Sequence, residues 1–178
     1  FNEYSGWLQI LGVRTMENLH GQVIEERAAE LVLVSEALHS QKFNRMSERI
    51  STSRKVRLVR ISGPSGSGKT TTAMRLAIHL RAMGARPIVG SLDDYFLERD
   101  KTPRDSRGEH DFETIDAMDL DLINGNLEDL LDGREVTLPR FNFLTGRREE
   151  GPKVTMRSDE VLIIEGIHGL NSRISSSI

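Results

Sequence analysis

The residues of this 178-residue chain best equipped for chemistry lie in the run GPSGSGKT, from Gly63 to Thr70. They fit the spacing G-x-x-x-x-G-K-[ST], in which glycine-freed backbone amides surround a polyphosphate. With glycine at about 7% of residues, and lysine, serine and threonine at ordinary usage, a chance match in a chain this long has a probability on the order of 1%. Gly63, Gly66 and Gly68 let the loop turn its N–H groups inward, and a helix starting near Lys69 adds the positive end of its dipole. In such a loop Lys69 reaches the β- and γ-phosphates and the Thr70 hydroxyl ligates Mg²⁺. Two acids at the ends of apolar runs, Asp93 and Glu165, could complete a site of this kind. The first would take a proton from an acceptor hydroxyl, and the second would stand near the cation or its water shell.

These groups need a scaffold that brings them together. Val56, Leu58, Val59 and Ile61 predict a buried strand before the loop, and Thr71–Met83 carries apolar residues at helical spacing with Gly84 placed to end the helix. A second strand is expected at Pro87–Leu92, ending in Asp93-Asp94, and a third at Val161–Gly166. Ligands of open α/β sheets bind beyond the carboxyl ends of the strands, so both acids point toward the glycine loop. Between them the sequence predicts a charged surface loop over Leu97–Asp111, a helix over Asp116–Leu131 and a hairpin over Glu135–Met156. Thr145-Gly146 and Glu150-Gly151-Pro152 supply turn residues to that hairpin. Phe141 and Phe143 fall on one face of a strand, as core or as the wall of a pocket for a flat ring.

Residues 1–50 carry no phosphate-loop chemistry. Apolar positions from Ile24 to Ile50 predict one long amphipathic helix, with a shorter one around Trp7–Leu11. This segment reads as a helical connector or cap, and the serine-rich stretch Ser47–Lys55 as the boundary before an α/β domain over 56–178. His20 and His39 lack partners at metal-ligand spacing.

Composition restricts the function classes. Charged residues make up 29% and hydrophobic ones 37%, and the net charge is −3, a balance that gives no general attraction to nucleic acid or anionic membrane. The absence of cysteine excludes disulfides and thiolate zinc sites and suits a reducing cytoplasm. No apolar run approaches the ~20 residues that span a bilayer. The start at Phe1 and the end shortly after a buried strand lead us to expect a piece of a longer protein.

Residue chemistry alone indicates a nucleoside triphosphatase or a kinase of small molecules. No Asn-Lys-x-Asp motif for guanine recognition is present, and Asp93 favours transfer to a hydroxyl. The ordered segments GPSGSGKTT, SLDDYF, DFETIDAMDL, LPRFNFLTGR and LIIEGIHGL resemble the uridine kinase and phosphoribulokinase superfamily, in its uridine kinase branch. The likeness covers about Val56 to Leu170 and is closest to a bacterial group in which such a domain follows threonyl-tRNA-synthetase-like modules.

The resemblance implies a P-loop kinase-type parallel sheet flanked by helices, with a β-hairpin insertion and an N-terminal helical segment, truncated at both ends. It implies ATP and Mg²⁺ as cofactors, with ATP on Gly63, Ser65, Gly66, Ser67, Gly68, Lys69, Thr70 and Thr71. Asp93 matches the general base for a nucleoside 5′-hydroxyl, Glu113 an acid on the ribose, and Glu165 the acid near Mg²⁺. Phe112, Phe141 and Phe143 match aromatic positions around the nucleoside, with Tyr95 nearby.

Two departures stand out. Gly146 occupies the place of a base-contacting histidine, which leaves base selectivity open, and the family's arginine-bearing lid has no counterpart before Ile178. The full protein is therefore expected to be a cytoplasmic nucleoside kinase, and this piece to bind nucleotide with little turnover. No nucleic-acid or membrane partner is expected, and homo-oligomerisation is left open. The alternatives are a P-loop kinase of another hydroxylated metabolite, such as a sugar phosphate or pantothenate, with Arg140, Arg147 and Arg148 as the basic candidates, or a nucleotide-dependent regulatory or RNA-associated module.

Overall fold

A computed structural model of the chain describes residues 2–53 and 55–175. Phe1 and residues 176–178, at the expected terminal regions, and Arg54, in the expected boundary stretch, lie outside the described residues. The chain divides into two compact units, Phe1–Glu48 and Arg49–Ile178.

In the first unit the single long helix expected from Ile24 onward is instead preceded by a break. Helices α1 (Asn2–Leu11) and α2 (Met16–Ile24) come first, and α3 (Ala28–Ser53) follows. Thr15 starts α2 through a reciprocal cap, its hydroxyl accepting from Asn18 N–H and its own N–H donating to Asn18 Oδ1, each at 3.2 Å. Glu26 then takes a left-handed conformation, φ 57°, which no helix interior accommodates, and this separates α2 from α3. His39 packs between Trp7 and Phe43, with ring centroids 6.5 and 4.8 Å away. The serine-rich stretch expected as a boundary is helical as far as Ser53.

The second unit is built on a three-stranded parallel sheet in the order β1-β5-β2, with β1 (Leu58–Ile61), β2 (Arg86–Ser91) and β5 (Glu160–Glu165). The last strand in the chain is thus the central one. Its apolar run follows from that position, since Val161 to Ile164 are all buried. Alternation along β5 sends Leu162 and Ile164 into the larger core, formed with Leu92, Phe96, Ile123, Leu127, Val136 and Met156. Helix α4 (Lys69–Ala82) lies against β2 and β5, burying Ala73, Leu76, Ala77 and Leu80.

The helix expected over Asp116–Leu131 is divided. A 3-10 turn at Ile115–Ala117 precedes α5 (Leu120–Leu131), because the Asp119 carboxylate accepts from Leu122 N–H at 3.1 Å and so caps a new helix. The hairpin consists of β3 (Glu135–Asn142) and β4 (Arg147–Thr155). It turns at residues 143–146, where Gly146 has φ 68° and its N–H donates to Asn142 O at 2.7 Å. Glu150-Gly151-Pro152, expected as a turn, lies within β4 instead. There β3 bulges between Thr137 and Pro139, and Gly151 faces it closely enough that a Cβ would lie 2.6 Å from the Leu138 carbonyl oxygen.

That contact is with backbone and cannot move aside easily. Gly151→Ala is expected to destabilise the protein by about 1–3 kcal/mol, as overpacked positions do. A urea unfolding midpoint equal to that of the parent would contradict the packing described.

Candidate active site

Strand β1 delivers the chain to the glycine loop and α4 takes it away. The Ser62 hydroxyl donates to Ile167 O at 2.7 Å and Gly166 N–H to Ile61 O at 3.1 Å, which fastens the start of the loop to the end of β5. Gly66 and Gly68 have φ 72° and 83°, in the left-handed region that glycine enters without steric cost. At Gly63 a Cβ would stand 2.7 Å from Ser67 Oγ. The first helical bond of α4 runs from Thr72 N–H to Gly68 O at 2.8 Å, so the amides of Lys69, Thr70 and Thr71 precede it at a helix N-terminus. Ser65, Ser67, Thr70 and Thr71 are exposed. Lys69 Nζ donates to Pro64 O at 3.0 Å and lies across the loop.

The register of the sheet decides where the acids stand. Ile61 pairs with Glu165 across β1 and β5, and Ser91 pairs with Glu165 across β2 and β5, so all three strands end level. Glu165 is only 4% exposed, and its Oε1 accepts from Thr70 Oγ1 at 3.1 Å and Ser91 Oγ at 3.0 Å. Ser91 Oγ also accepts from Asp93 N–H at 3.3 Å, which starts the 3-10 turn Leu92–Tyr95. Ser91 joins the site through strand register, which no local sequence pattern announces.

Burial holds the Asp93 carboxyl above the usual carboxylate range, and the neighbouring charges of Glu165 and Asp94 add to this, against the opposing charges of Lys69 and His168. Lys69, Asp93, Glu165 and His168 therefore share one electrostatic environment. His168, to which the sequence expectations give no role, has a buried Nε2 with no hydrogen-bond partner among the described residues.

The Thr70 hydroxyl and Glu165 carboxylate present hard oxygen donors side by side. No group of three or more His, Cys, Asp or Glu able to hold a metal is present among the described residues. This sparse oxygen set fits Mg²⁺, which binds through one or two carboxylates plus waters and phosphate oxygens.

An aromatic group adjoins these acids in the chain. Phe96, buried to 5% exposure, is its centre, with ring centroids 5.5 Å from Phe112, 5.8 Å from Phe141 and 6.2 Å from Phe143. Asp94 Oδ1 accepts from Phe141 N–H at 3.1 Å and so ties the end of β2 to the hairpin. Arg148 donates to Asp119 at 2.8 Å and to Phe96 O at 3.1 Å, which commits it to holding the hairpin against this group.

Two expectations change in detail. The strand ends at Asn142, leaving Phe141 buried and Phe143 57% exposed, rather than placing both on one strand face. Tyr95 turns into the core, where its hydroxyl accepts from Asn126 Nδ2 at 3.2 Å and burial raises its pKa. Phe96 is the member of the Tyr95-Phe96 pair that meets the other phenylalanines. Glu113 is exposed and its N–H donates to Asp111 Oδ1 at 3.0 Å.

The model of the Phosphoribulokinase / Uridine kinase family matches residues 58–176, from the first residue of β1 through the segment beyond β5. The chain belongs to this family. Among its curated relatives, a uridine kinase from Schizosaccharomyces pombe is 34% identical over 119 residues, covering 66% of this chain and 26% of that protein. A uridine kinase from Lactobacillus helveticus is 29% identical over 110 residues, covering 62% of this chain and 51% of that protein. The family member described here thus spans between about a quarter and about half of the length of these two relatives.

A solved structure from Bacillus stearothermophilus, described as a possible uridine kinase, superposes with a TM-score of 0.57 at 23% identity, over 74% of this chain and 77% of that one. It shares the α/β fold, a parallel sheet flanked by helices. No helix among the described residues is long and apolar enough to cross a membrane.

The raised pKa of Asp93 has a consequence for stability. An acid raised in the folded state favours folding only while protonated; that contribution is complete below its unfolded pKa and is lost as pH rises through the folded value. As pH rises through the folded value, the charge gained by Asp93 comes to oppose folding. Asp93→Asn is expected to raise the thermal midpoint at pH 7, with a gain that shrinks toward acid pH. A midpoint lowered at pH 7 would contradict this placement of the carboxylate.

Proposed function

We propose that the protein transfers the γ-phosphoryl group of ATP to the 5′-hydroxyl of a nucleoside of the uridine/cytidine type, in the cytoplasm. The observation that carries this reading is the level ending of the three parallel strands, which sets Glu165, Ser91 and the turn bearing Asp93 beside the glycine loop. Gly63, Ser65, Gly66, Ser67, Gly68, Lys69, Thr70 and Thr71 would hold the nucleotide phosphates through loop amides and the Lys69 ammonium. Thr70 and Glu165 would hold Mg²⁺, which when bound offsets the charge of the β- and γ-phosphates. Asp93 takes the proton of the attacking hydroxyl. Phe112, Phe141 and Phe143, with Phe96 behind them, supply the flat wall for the nucleoside, and Glu113 the acid for its ribose. Tyr95 acts from the core, supporting the turn that carries Asp93.

Transfer between two oxygens needs little covalent help from a protein, so positioning and charge dominate. The half-buried Asp93 suits the task of base because burial raises its pKa and so increases its proton affinity. In domain terms we read residues 56–178 as a P-loop nucleoside kinase domain and residues 1–50 as a helical connector or cap. The whole protein is then of the kind that couples such a domain to threonyl-tRNA-synthetase-like modules.

A panel of nucleosides incubated with the full-length protein, ATP and Mg²⁺ is expected to give a nucleoside monophosphate from uridine or cytidine, with ATP consumption dependent on the added nucleoside. Asp93→Asn should lower kcat by roughly 10²–10⁴-fold, the usual contribution of a general base, while ATP binding stays within a few-fold. ATP binding without phosphorylation of any nucleoside would overturn the reading, and transfer retained in Asp93→Asn would remove the base assignment.

The pH profile offers a separate check. The acidic limb of kcat/KM should lie above the usual carboxylate range and disappear in Asp93→Asn. A limb within the ordinary carboxylate range would place the titrating group elsewhere.

A further inference from the structure

A cavity of about 520 Å³ opens at the tip of the hairpin, lined by Arg99, Arg104, His110, Thr145, Gly146 and Arg147 among others. It adjoins the aromatic group on two sides. His110 stands 6.1 Å from the Phe112 ring, centroid to centroid, and Arg99 Nη2 donates to the Phe143 carbonyl oxygen at 3.1 Å. The Phe143 ring is 5.0 Å from that of Phe141 and 57% exposed. A planar ligand against these phenylalanines would therefore meet the cavity with its edge.

The donors of the cavity are held in place. Arg99 N–H donates to Gly146 O at 3.0 Å, and the Arg99 side chain crosses directly over Gly146. A Cβ at position 146 would stand 2.9 Å from both Cβ and Nε of Arg99. Gly146 thus makes room for the guanidinium, and the two bonds from Arg99 to the hairpin fix where it points. Two acids flank Arg99 and also line the cavity: Glu98 is engaged by Lys101 at 3.1 Å, and Asp100 is exposed. The Nδ1 of His110 is buried with no hydrogen-bond partner among the described residues.

We infer that this pocket is the specificity end of the acceptor site, where Arg99, beside His110, hydrogen-bonds the ring carbonyl oxygen that uracil carries where cytosine carries an amino group, and so selects the ring with oxygen at that position. The inference rests on the nucleoside kinase reading and adds the choice of base to it. Its physical ground is that a guanidinium carries five donors and no acceptor, so it pairs with an oxygen lone pair and is repelled by an amino group's hydrogens. Hydrogen bonds to charged groups are also the stronger kind, and a site built around one rejects the analogue that leaves it unpaired. Arg99 is a binding residue in this account and takes no part in the chemical step.

The test compares uridine and cytidine on the full-length parent protein and its Arg99→Met variant, with thermal unfolding used to confirm that both are folded. Two readouts are taken: kcat/KM for phosphorylation and the equilibrium dissociation constant from calorimetric titration. The parent is expected to favour uridine about tenfold or more, and Arg99→Met to bring the ratio within about threefold of unity. Equal use of both nucleosides by the parent, or a uridine preference unchanged in Arg99→Met, overturns the inference. If neither nucleoside is phosphorylated yet uridine binds more tightly than cytidine in an Arg99-dependent way, the kinase reading fails and the pocket stands. If neither binds, both fall.

Discussion

The site depends on one buried carboxylate. Glu165 ends the central strand at 4% exposure, and a carboxylate there is costly unless its oxygens find donors. Thr70, on the first turn of α4, and Ser91, the last residue of β2, both donate to Oε1. Hydrogen bonds to a charged group contribute about 1.5–3 kcal/mol each, so this arrangement stabilises the charge and couples three elements. The glycine loop cannot move relative to β5, nor can the Asp93 turn relative to β2, without disturbing Glu165. A parallel sheet with level strand ends is what makes such a junction available.

A second set of links serves the hairpin, which forms a sheet of its own and shares no ladder with the central one. Its position relies on side chains: Asp94 holds the Phe141 amide, while Arg148 bridges Asp119 and the Phe96 carbonyl. The Arg148–Asp119 pair is about a quarter exposed at each partner, so it is screened less than the fully solvated pairs that contribute little. Asp93 and Asp94 consequently divide two tasks between adjacent positions. One carboxylate stands with Glu165 and Lys69, and the other anchors the aromatic wall. The sequence motif presents them as an acidic pair, and only the fold separates their work.

What was legible in the sequence follows from the range of the interactions involved. The glycine loop, its flanking strand and helix, and the strand ending in Glu165 all announce themselves locally, through φ requirements and apolar periodicity. Strand order does not, because nothing within Val161–Ile164 says that it inserts between β1 and β2; Ser91 was missed for that reason. The break before α5 turned on Asp119 acting as a cap instead of a helix-interior residue. Gly151 resembled a turn residue, whereas its lack of a side chain serves a close backbone approach opposite a bulge. Which of Tyr95 and Phe96 faces the other aromatics depends on the 3-10 turn that ends at Tyr95 and is capped by Phe96, a geometry without a periodic signature.

The distribution of charge around the site gives it a direction. At the strand ends the fixed charges are acidic, the Glu165 charge adding to the cost of ionising the buried Asp93, with Lys69 as the opposing cation. At the hairpin tip the donors are arginines held against backbone carbonyls. The phenylalanines between them offer no charge at all. On the reading proposed above, an acceptor with a hydroxyl at one end and a hydrogen-bond-accepting ring edge at the other has one favourable orientation, because reversal would set ring oxygens against carboxylates and leave the guanidinium facing a hydroxyl. Orientation of that kind acts before any bond is made, since it places the reacting oxygen near the base and lowers the entropy still to be lost in reaching the transition state. The separation of the two ends by an apolar wall is therefore as much a part of the chemistry as the carboxylates themselves.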